Sequence, residues 1–160
     1  MAKITGITIL CLLLGPGLRA QGPSGDGEAA RAAVKKVVET FFEGFHKRDS
    51  ALIYSTVAED AVLRTTGRDA QGKTLYHGED FQKFIQSIIT IPDSLSFEER
   101  LTSFSIQVDR TLAHAWVGYE FWWNGSFSHC GFNSFEMVNF DGRWKIVHLI
   151  DTRGKDGCQD

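Results

Sequence analysis

Two dipeptides in the second half of the chain restrict its fold more than any other feature. Asn124-Gly125 and Asp141-Gly142 each lie between stretches in which apolar and polar residues alternate. Both dipeptides accept the positive φ angles of a two-residue hairpin turn. They predict three consecutive antiparallel strands over residues 113–123, 127–140 and 143–151, with Trp123 opposite Ser126 and Phe140 opposite Arg143.

The residues before these strands favour helices. Apolar residues recur at helical spacing over residues 29–46 and again over 78–90, and Asp49 or Ser50 is placed to cap a short helix between them. Branched residues over 60–65 predict a strand, and alternation resumes at Phe97. Helices followed by a long antiparallel sheet indicate an α+β fold, with the helices packed on the concave side of the sheet.

The two turns also divide the strand side chains between two faces, provided that no bulge interrupts the hairpins. We assign the more apolar face to the interior. That face carries Ala115, Val117, Tyr119, Phe121, Cys130, Phe132, Ser134, Glu136, Val138, Val147, Leu149 and Asp151. The opposite face carries His114, Trp116, Glu120, Trp122, His129, Asn133, Phe135, Trp144, Ile146 and His148.

The first residues have the pattern of an export signal. Lys3 precedes an apolar run over 4–14 that is too short to span a bilayer, and Ala20 is a suitable cleavage residue. We expect a signal peptide at 1–20, a flexible leader at 21–27, one domain at 28–153 and a polar tail at 154–160. The mature protein is then secreted or periplasmic and has no stable membrane anchor.

Composition and motifs exclude several classes of function. The formal charge of -3, with basic residues scattered along the chain, argues against nucleic-acid binding. Walker, CxxC and HExxH motifs are absent from the sequence, so we expect no metal and no cofactor.

Several local patterns, taken in order, resemble the nuclear transport factor 2-like superfamily over almost the whole mature chain. The matching stretches are FFEGF (41–45), AEDAV (58–62), GEDF (78–81) and FDGRWKI (140–146). Within that superfamily the chain is similar to the SnoaL-like and lumazine-binding groups of small secreted bacterial proteins. The resemblance implies a cone-shaped curved sheet wrapped around N-terminal helices, with a pocket inside the cone.

The superfamily includes ketosteroid isomerases, but the resemblance does not carry their mechanism onto this chain. The oxyanion-hole tyrosine of those enzymes falls on Phe41, the base aspartate on Thr65 and the second oxyanion acid on Glu136. Phe41 cannot donate a hydrogen bond, and Thr65 cannot act as a base near neutral pH. We therefore reject isomerase activity of that type.

Two groups of residues are candidates for chemistry. On the predicted interior face, Glu136 and Asp151 would have polar roles in an apolar pocket. The simpler interpretation of Glu136 is a structural pair with Arg64, Arg68 or a hydroxyl, or a bulge that turns it outward, and Asp151 is equally well explained as a solvated strand end. On the other face, Glu120 opposite His129 would suffice for acid-base catalysis, although such cross-strand pairs usually only stabilise sheets. The predicted ligand pocket contains Phe41, Phe45, Tyr119, Phe121, Phe132, Ser134, Glu136 and Asp151.

Two features concern assembly and covalent structure. Trp116, Trp122, Trp144 and Phe135 are too many large aromatic residues for an open face, which favours a homodimer formed through the sheet. Cys130 and Cys158 are the only cysteines left after export, and an oxidising compartment would permit them to pair.

These observations favour a protein that binds a small apolar or aromatic ligand in its pocket. The alternatives are a lyase, isomerase or cyclase that uses Glu136 with Asp151, or Glu120 with His129, and a purely structural dimer.

Overall fold

The computed structural model describes residues 25–158. The predicted signal peptide, residues 21–24 of the predicted leader and the last two residues of the predicted tail lie outside the described part of the chain. The elements are α1 (Gly25–Lys47), α2 (Ser50–Tyr54), β1 (Val57–Arg68), β2 (Thr74–Glu79), α3 (Phe81–Ile89), β3 (Phe97–Asp109), β4 (Leu112–Trp123), β5 (Ser126–Phe140) and β6 (Arg143–Arg153). Helix α1 thus begins inside the stretch expected to be a flexible leader.

The six strands form one curled sheet in the order β2-β1-β6-β5-β4-β3. Strands β1 and β6 are parallel, and every other neighbouring pair is antiparallel. The predicted α+β architecture, with N-terminal helices against a curved and unclosed sheet, is confirmed. None of the helices among residues 25–158 is long and apolar enough to cross a membrane.

The two shorter helices begin where side chains can satisfy free backbone donors. Asp49 accepts a hydrogen bond from the backbone N–H of Leu52, and Asp80 accepts one from that of Lys83. Such N-caps typically contribute about 1 kcal/mol to helix stability. The caps fix the starts of α2 and α3, and these helices contribute Ile53, Ile85 and Ile88 to the core.

Both hairpin turns form as predicted. Asn124 and Gly125 have φ angles of 48° and 73°, and Asp141 and Gly142 have angles of 52° and 88°. Trp123 pairs with Ser126 and Phe140 pairs with Arg143, which confirms the register next to each turn.

A bulge farther along each hairpin makes the predicted division of the β5 and β6 side chains wrong. In the first hairpin Trp122 pairs with Phe127 but Phe121 pairs with His129, so Ser128 has no partner. In the second, Val147 is the extra residue. One extra residue turns every following side chain to the opposite face.

The inner face of β5 is therefore the one that we had assigned to the exterior. Phe135 is fully buried, and Trp144 is only 7% exposed. Asn133 and Ile146 are also buried, whereas Phe132 is 40% exposed. The core forms between the inner face of the sheet and the apolar faces of α1 and α3.

Candidate functional site

A cavity of about 330 Å³ lies between α1, α3 and the inner face of the sheet. Eight apolar and eight polar side chains line it, and the polar side chains from β3 to β6 meet on one side. The apolar lining consists of Phe41, Phe42, Phe45, Leu63, Phe84, Ile88, Phe121 and Leu149, and the polar lining consists of Glu79, Ser87, Glu99, Tyr119, His129, Asn133, Asp151 and Arg153.

Asp151 is the most heavily bonded polar group of the cavity. Its carboxylate accepts hydrogen bonds from the Thr65 hydroxyl at 2.6 Å and from Arg153 Nε at 2.6 Å. The Tyr119 hydroxyl lies 3.5 Å from the same carboxylate and donates to the carbonyl oxygen of Thr152 at 2.8 Å. Because Asp151 is only 6% exposed, these partners offset the cost of burying its charge.

The pKa of Tyr119 is raised above its ordinary value. Burial of the phenol is the largest cause, and the charges of Asp151 and Glu99 raise the pKa further. Tyr119 is therefore a neutral hydrogen-bond donor at any physiological pH.

Glu99 is the second acid of the cavity, and sequence reasoning missed it. Its Oε1 atom accepts a hydrogen bond from Asn133 Nδ2 at 2.7 Å. Burial raises its pKa to about 7, the Asn133 hydrogen bond opposes that shift, and the charge of Asp151 adds to it. Near neutral pH this carboxyl group therefore changes between its charged and neutral forms.

The two histidines near Glu99 are held neutral. His46 Nε2 accepts a hydrogen bond from the backbone N–H of Glu99 at 2.9 Å, and burial lowers the pKa of its ring. Burial also lowers the pKa of His129, and the nearby Arg153 lowers it further. The His129 ring stacks on Phe121 with the ring centroids 5.0 Å apart.

A glycine brings the end of β6 into the cavity. A Cβ atom at Gly131 would lie 1.9 Å from the carbonyl oxygen of Thr152. The missing side chain therefore lets that carbonyl reach the Tyr119 hydroxyl, and the same approach places Asp151 and Arg153 at the polar end of the cavity.

The structure brings five of the eight predicted pocket residues to the cavity. Their positions follow from α1 and β4, which the sequence places correctly, and from the end of β6. They are Phe41, Phe45, Tyr119, Phe121 and Asp151. Thr65, at the position of the isomerase base, instead donates a hydrogen bond to Asp151.

The other three predicted pocket residues, Phe132, Ser134 and Glu136, are on the outer face of the sheet. The bulge at Ser128 is the cause, since it reverses the direction of every later side chain of β5. Glu136 lies between His114 and His148 in the sheet, with its Oε1 atom 3.9 Å from His114 Nε2, and its side chain is 40% exposed. The prediction that Glu136 acts with Asp151 in the pocket is wrong.

The predicted Glu120 and His129 pair is wrong for the same reason. Glu120 pairs with Cys130, and its carboxylate accepts a hydrogen bond from Trp122 Nε1 on the outer face. His129 pairs with Phe121 and lines the cavity. The two side chains lie on opposite faces of the sheet.

Glu99, Asn133 and Arg153 were not predicted, although the sequence held a signal for one of them. Phe97, Glu99 and Leu101 are two residues apart at the start of β3, and the apolar pair points inward. That spacing places the Glu99 carboxylate on the buried face. Asn133 depends on the bulge at Ser128, which the sequence did not reveal.

The structure also contains a disulfide between Cys130 and Cys158, whose Cα atoms are 5.7 Å apart. The predicted pairing of Phe140 with Arg143 would place Cys130 opposite Arg153, but the bulge at Val147 moves its partner to Gly154. The disulfide and this bridge attach the first residues of the predicted polar tail to the sheet. Among residues 25–158, no three side chains of His, Cys, Asp or Glu come close enough together to hold a metal ion.

Solved structures with the same architecture define the class of protein. The chain is similar to a nuclear transport factor 2-like (NTF2-like) protein of unknown function from Shewanella baltica, with a TM-score of 0.60, 18% identity and coverage of 81% of this chain and 97% of that one. An NTF2-like protein of unknown function from Pseudomonas putida gives a TM-score of 0.63 at 17% identity, covering 85% of this chain and 92% of that one. An NTF2-like protein from Cytophaga hutchinsonii gives a TM-score of 0.61 at 12% identity, covering 78% of this chain and 98% of that one. The protein has an NTF2-like fold with a cavity inside the curled sheet.

A family model narrows the assignment. The family described as "Putative lumazine-binding" matches residues 29–149, which is most of the chain. The chain belongs to this family. No curated protein is similar enough to match it.

Proposed function

We propose that this chain is an exported protein that binds a small, mainly apolar or aromatic molecule in its cavity. The observation that carries the proposal is the combination of phenylalanine walls with polar groups that converge at one end. Small-molecule sites usually have this composition, and the cavity volume of about 330 Å³ is within their common range.

The polar end is organised before any ligand arrives. Thr65 and Arg153 hold Asp151, and Asn133 holds one oxygen of Glu99. Because these side chains are already ordered, binding costs less conformational entropy than it would in a flexible site. A rigid polar end with an apolar wall favours a ligand that has one polar edge and a flat apolar body.

Two features support export. The first twenty residues have the composition of a signal peptide, and the Cys130–Cys158 disulfide is typical of proteins in oxidising compartments. Detection of the mature chain, without its first twenty residues, outside the cytoplasm of the producing cell would test this part of the proposal. A full-length cytoplasmic chain would contradict it.

The binding test uses the mouth of the cavity. Ser87 lines the cavity from α3 and is exposed, so a tryptophan there would obstruct entry without disturbing the core. Gln86 is its exposed neighbour, does not line the cavity and provides the matched control. Lumazine, the compound in the family description, is the first ligand to titrate by fluorescence, together with native mass spectrometry of material retained through purification.

We expect a ligand in the unmodified protein and in Gln86→Trp. In Ser87→Trp the affinity should fall at least about tenfold, which is a loss of about 1.4 kcal/mol in binding free energy. Equal binding by the two variants would place the ligand elsewhere. A protein that retains no molecule and does not bind lumazine would oppose the proposal.

We also propose that two copies associate through the outer face of the sheet. The stacked rings of Trp116 and Phe132, with centroids 5.1 Å apart, support this proposal because they are 41% and 40% exposed. The aromatic group on this face is smaller than we had expected, since Phe135 and Trp144 are buried in the core. A second copy of the same face would cover the remaining rings.

A further inference from the structure

We propose that the molecule bound in the cavity carries a protonated nitrogen, as in an amine or a protonated N-heterocycle, and that Glu99 is the residue that binds this nitrogen. The inference rests on the proposed function, because it names the chemical class of the ligand for the same cavity.

Of the two acids at the polar end of the cavity, Glu99 is the one whose hydrogen bonding is incomplete, whereas Glu79 of β2 is exposed. Asp151 already accepts hydrogen bonds from Thr65 and Arg153. The carboxyl group of Glu99 has one partner, Asn133, on its Oε1 atom, and its Oε2 atom accepts no hydrogen bond from a described residue. Glu99 also lines the cavity, so a ligand can reach the free oxygen.

None of the positively charged groups near Glu99 among the described residues forms an ion pair with its carboxylate. Arg153 is the nearest positive group from β6, and its guanidinium is bonded to Asp151 at 2.6 Å. That pair has no net charge. His46 of α1 and His129 of β5 both have a lowered pKa, which keeps their rings neutral. Glu79 of β2 contributes another carboxylate to the lining.

The walls favour the same class of ligand. Five phenylalanine rings line the cavity, and the faces of aromatic rings attract cations. These are Phe41, Phe42, Phe45, Phe84 and Phe121. An anionic ligand would meet three carboxylates, with a single arginine that is already bonded. The electrostatic environment of the cavity therefore selects a cation with an apolar body.

Three probe ligands of similar size and different charge show whether the charge of a ligand determines its affinity. These are 2-phenylethylamine, 2-phenylethanol and 3-phenylpropanoate, which are cationic, neutral and anionic near neutral pH. Calorimetric titration at about pH 8, where Glu99 is mostly ionised, should show the amine binding at least about tenfold more tightly than the alcohol. The propanoate should bind most weakly.

Glu99→Gln keeps the size of the side chain and the acceptor for Asn133 but removes the charge. We expect it to lower the affinity for the amine at least about tenfold and to change that for the alcohol less than about twofold. Glu98→Gln is the matched control, since the side chain of Glu98 is 51% exposed and bonds to Arg100. It should leave both affinities unchanged.

The pH dependence gives a second readout that needs no variant. If the amine binds the ionised form of Glu99, its affinity should rise about tenfold between about pH 6 and about pH 8. The amine itself stays protonated over this range, because alkylamines such as lysine have a pKa of about 10. Glu99→Gln should remove the dependence.

Each other outcome overturns the inference. Tighter binding of the alcohol or the propanoate than of the amine would show that the cavity binds a molecule of another class, and the proposed function would stand. If none of the three probes binds, the inference fails. The experiment with lumazine, Ser87→Trp and retained ligands then decides independently whether the cavity binds any molecule.

Discussion

Glu99 is a residue whose burial opposes folding and therefore indicates a function. Its carboxyl group faces the cavity with one hydrogen-bond partner, Asn133, and burial raises its pKa from an ordinary value of 4.5 to about 7. Between these two values the folded chain keeps a proton that the unfolded chain loses. The free energy of unfolding therefore falls as the pH rises through this range. Residues that weaken the fold in this way are concentrated at binding and catalytic sites.

Replacing Glu99 with glutamine should remove this dependence. The glutamine side chain has no proton to lose in this range. The difference between the melting temperature of the variant and that of the natural chain should therefore be more favourable to the variant at about pH 8 than at about pH 5. A pKa difference of this size corresponds to an increase of roughly 5–10 °C. Thermal denaturation followed by circular dichroism at the two pH values measures the effect.

The control is Glu98→Gln, on the exposed side of the same strand. We expect its melting temperature to differ from that of the natural chain by the same small amount at both pH values. The explanation would be wrong if Glu99→Gln were equally stable relative to the natural chain at the two pH values. In that case the carboxyl group of Glu99 would titrate as it does in water.

At the level of elements, the sequence predicted the helices, the strands and both hairpin turns, because each has a strong local signal. Helical spacing, Asn-Gly and Asp-Gly depend on residues that are close together in the chain. The bulges at Ser128 and Val147 have no such signal, since neither residue is a glycine or a proline. The apolar residues Phe132 and Phe135 are three apart, so alternation could not decide which of them is buried.

The bulges at Ser128 and Val147 explain which site residues were predicted correctly and which were not. The prediction was correct on β4, where no bulge intervenes, and it placed Tyr119 and Phe121 at the cavity. It was wrong on β5, where it exchanged Asn133 for Ser134 and therefore chose Glu136 as the pocket acid. On β6 it recovered Asp151, because the bulges at Ser128 and Val147 cancel each other for the residues after Val147.

The approach of β6 to Tyr119 depends on Gly131. In Gly131→Ala the new methyl group would have to occupy the space of the Thr152 carbonyl, 1.9 Å away. The end of β6 must then move, and the hydrogen bond from Tyr119 to Thr152 should break. We expect a loss of about 2–3 kcal/mol in the free energy of unfolding, measured by urea denaturation.

Gly154→Ala is the matched control for that experiment, because a Cβ atom at Gly154 would have no neighbour within 4 Å. It should change stability by less than about 0.5 kcal/mol. Equal stabilities of the two variants would show that β6 does not need the space at Gly131, and the account of how Asp151 enters the cavity would have to be revised.

For the whole molecule, the two faces of the sheet have different roles. The inner face completes the core and the cavity, and carries Asn133, Phe135 and Asp151. No helix among residues 25–158 covers the outer face, which exposes the stacked Trp116 and Phe132 rings. The disulfide joins Cys130 of β5 to the residues that follow β6, so the two strands that contain the bulges are linked at the end that holds Asp151.

The association of two chains can be tested on the outer face without affecting the cavity. In Trp116→Lys a positive charge replaces a ring that is 41% exposed, and two such charges would meet in a symmetric dimer. Sedimentation velocity should show a dimer for the natural chain and a dissociation constant raised at least about tenfold for the variant.

Tyr76→Lys, on edge strand β2, replaces another exposed aromatic residue and should remain dimeric. A natural chain that sediments as a monomer at every concentration, or a Trp116→Lys variant as dimeric as the natural chain, would contradict an interface at Trp116. Binding of lumazine or the amine probe should be the same in monomer and dimer, because the cavity lies on the inner face of the sheet and Trp116 lies on the outer face.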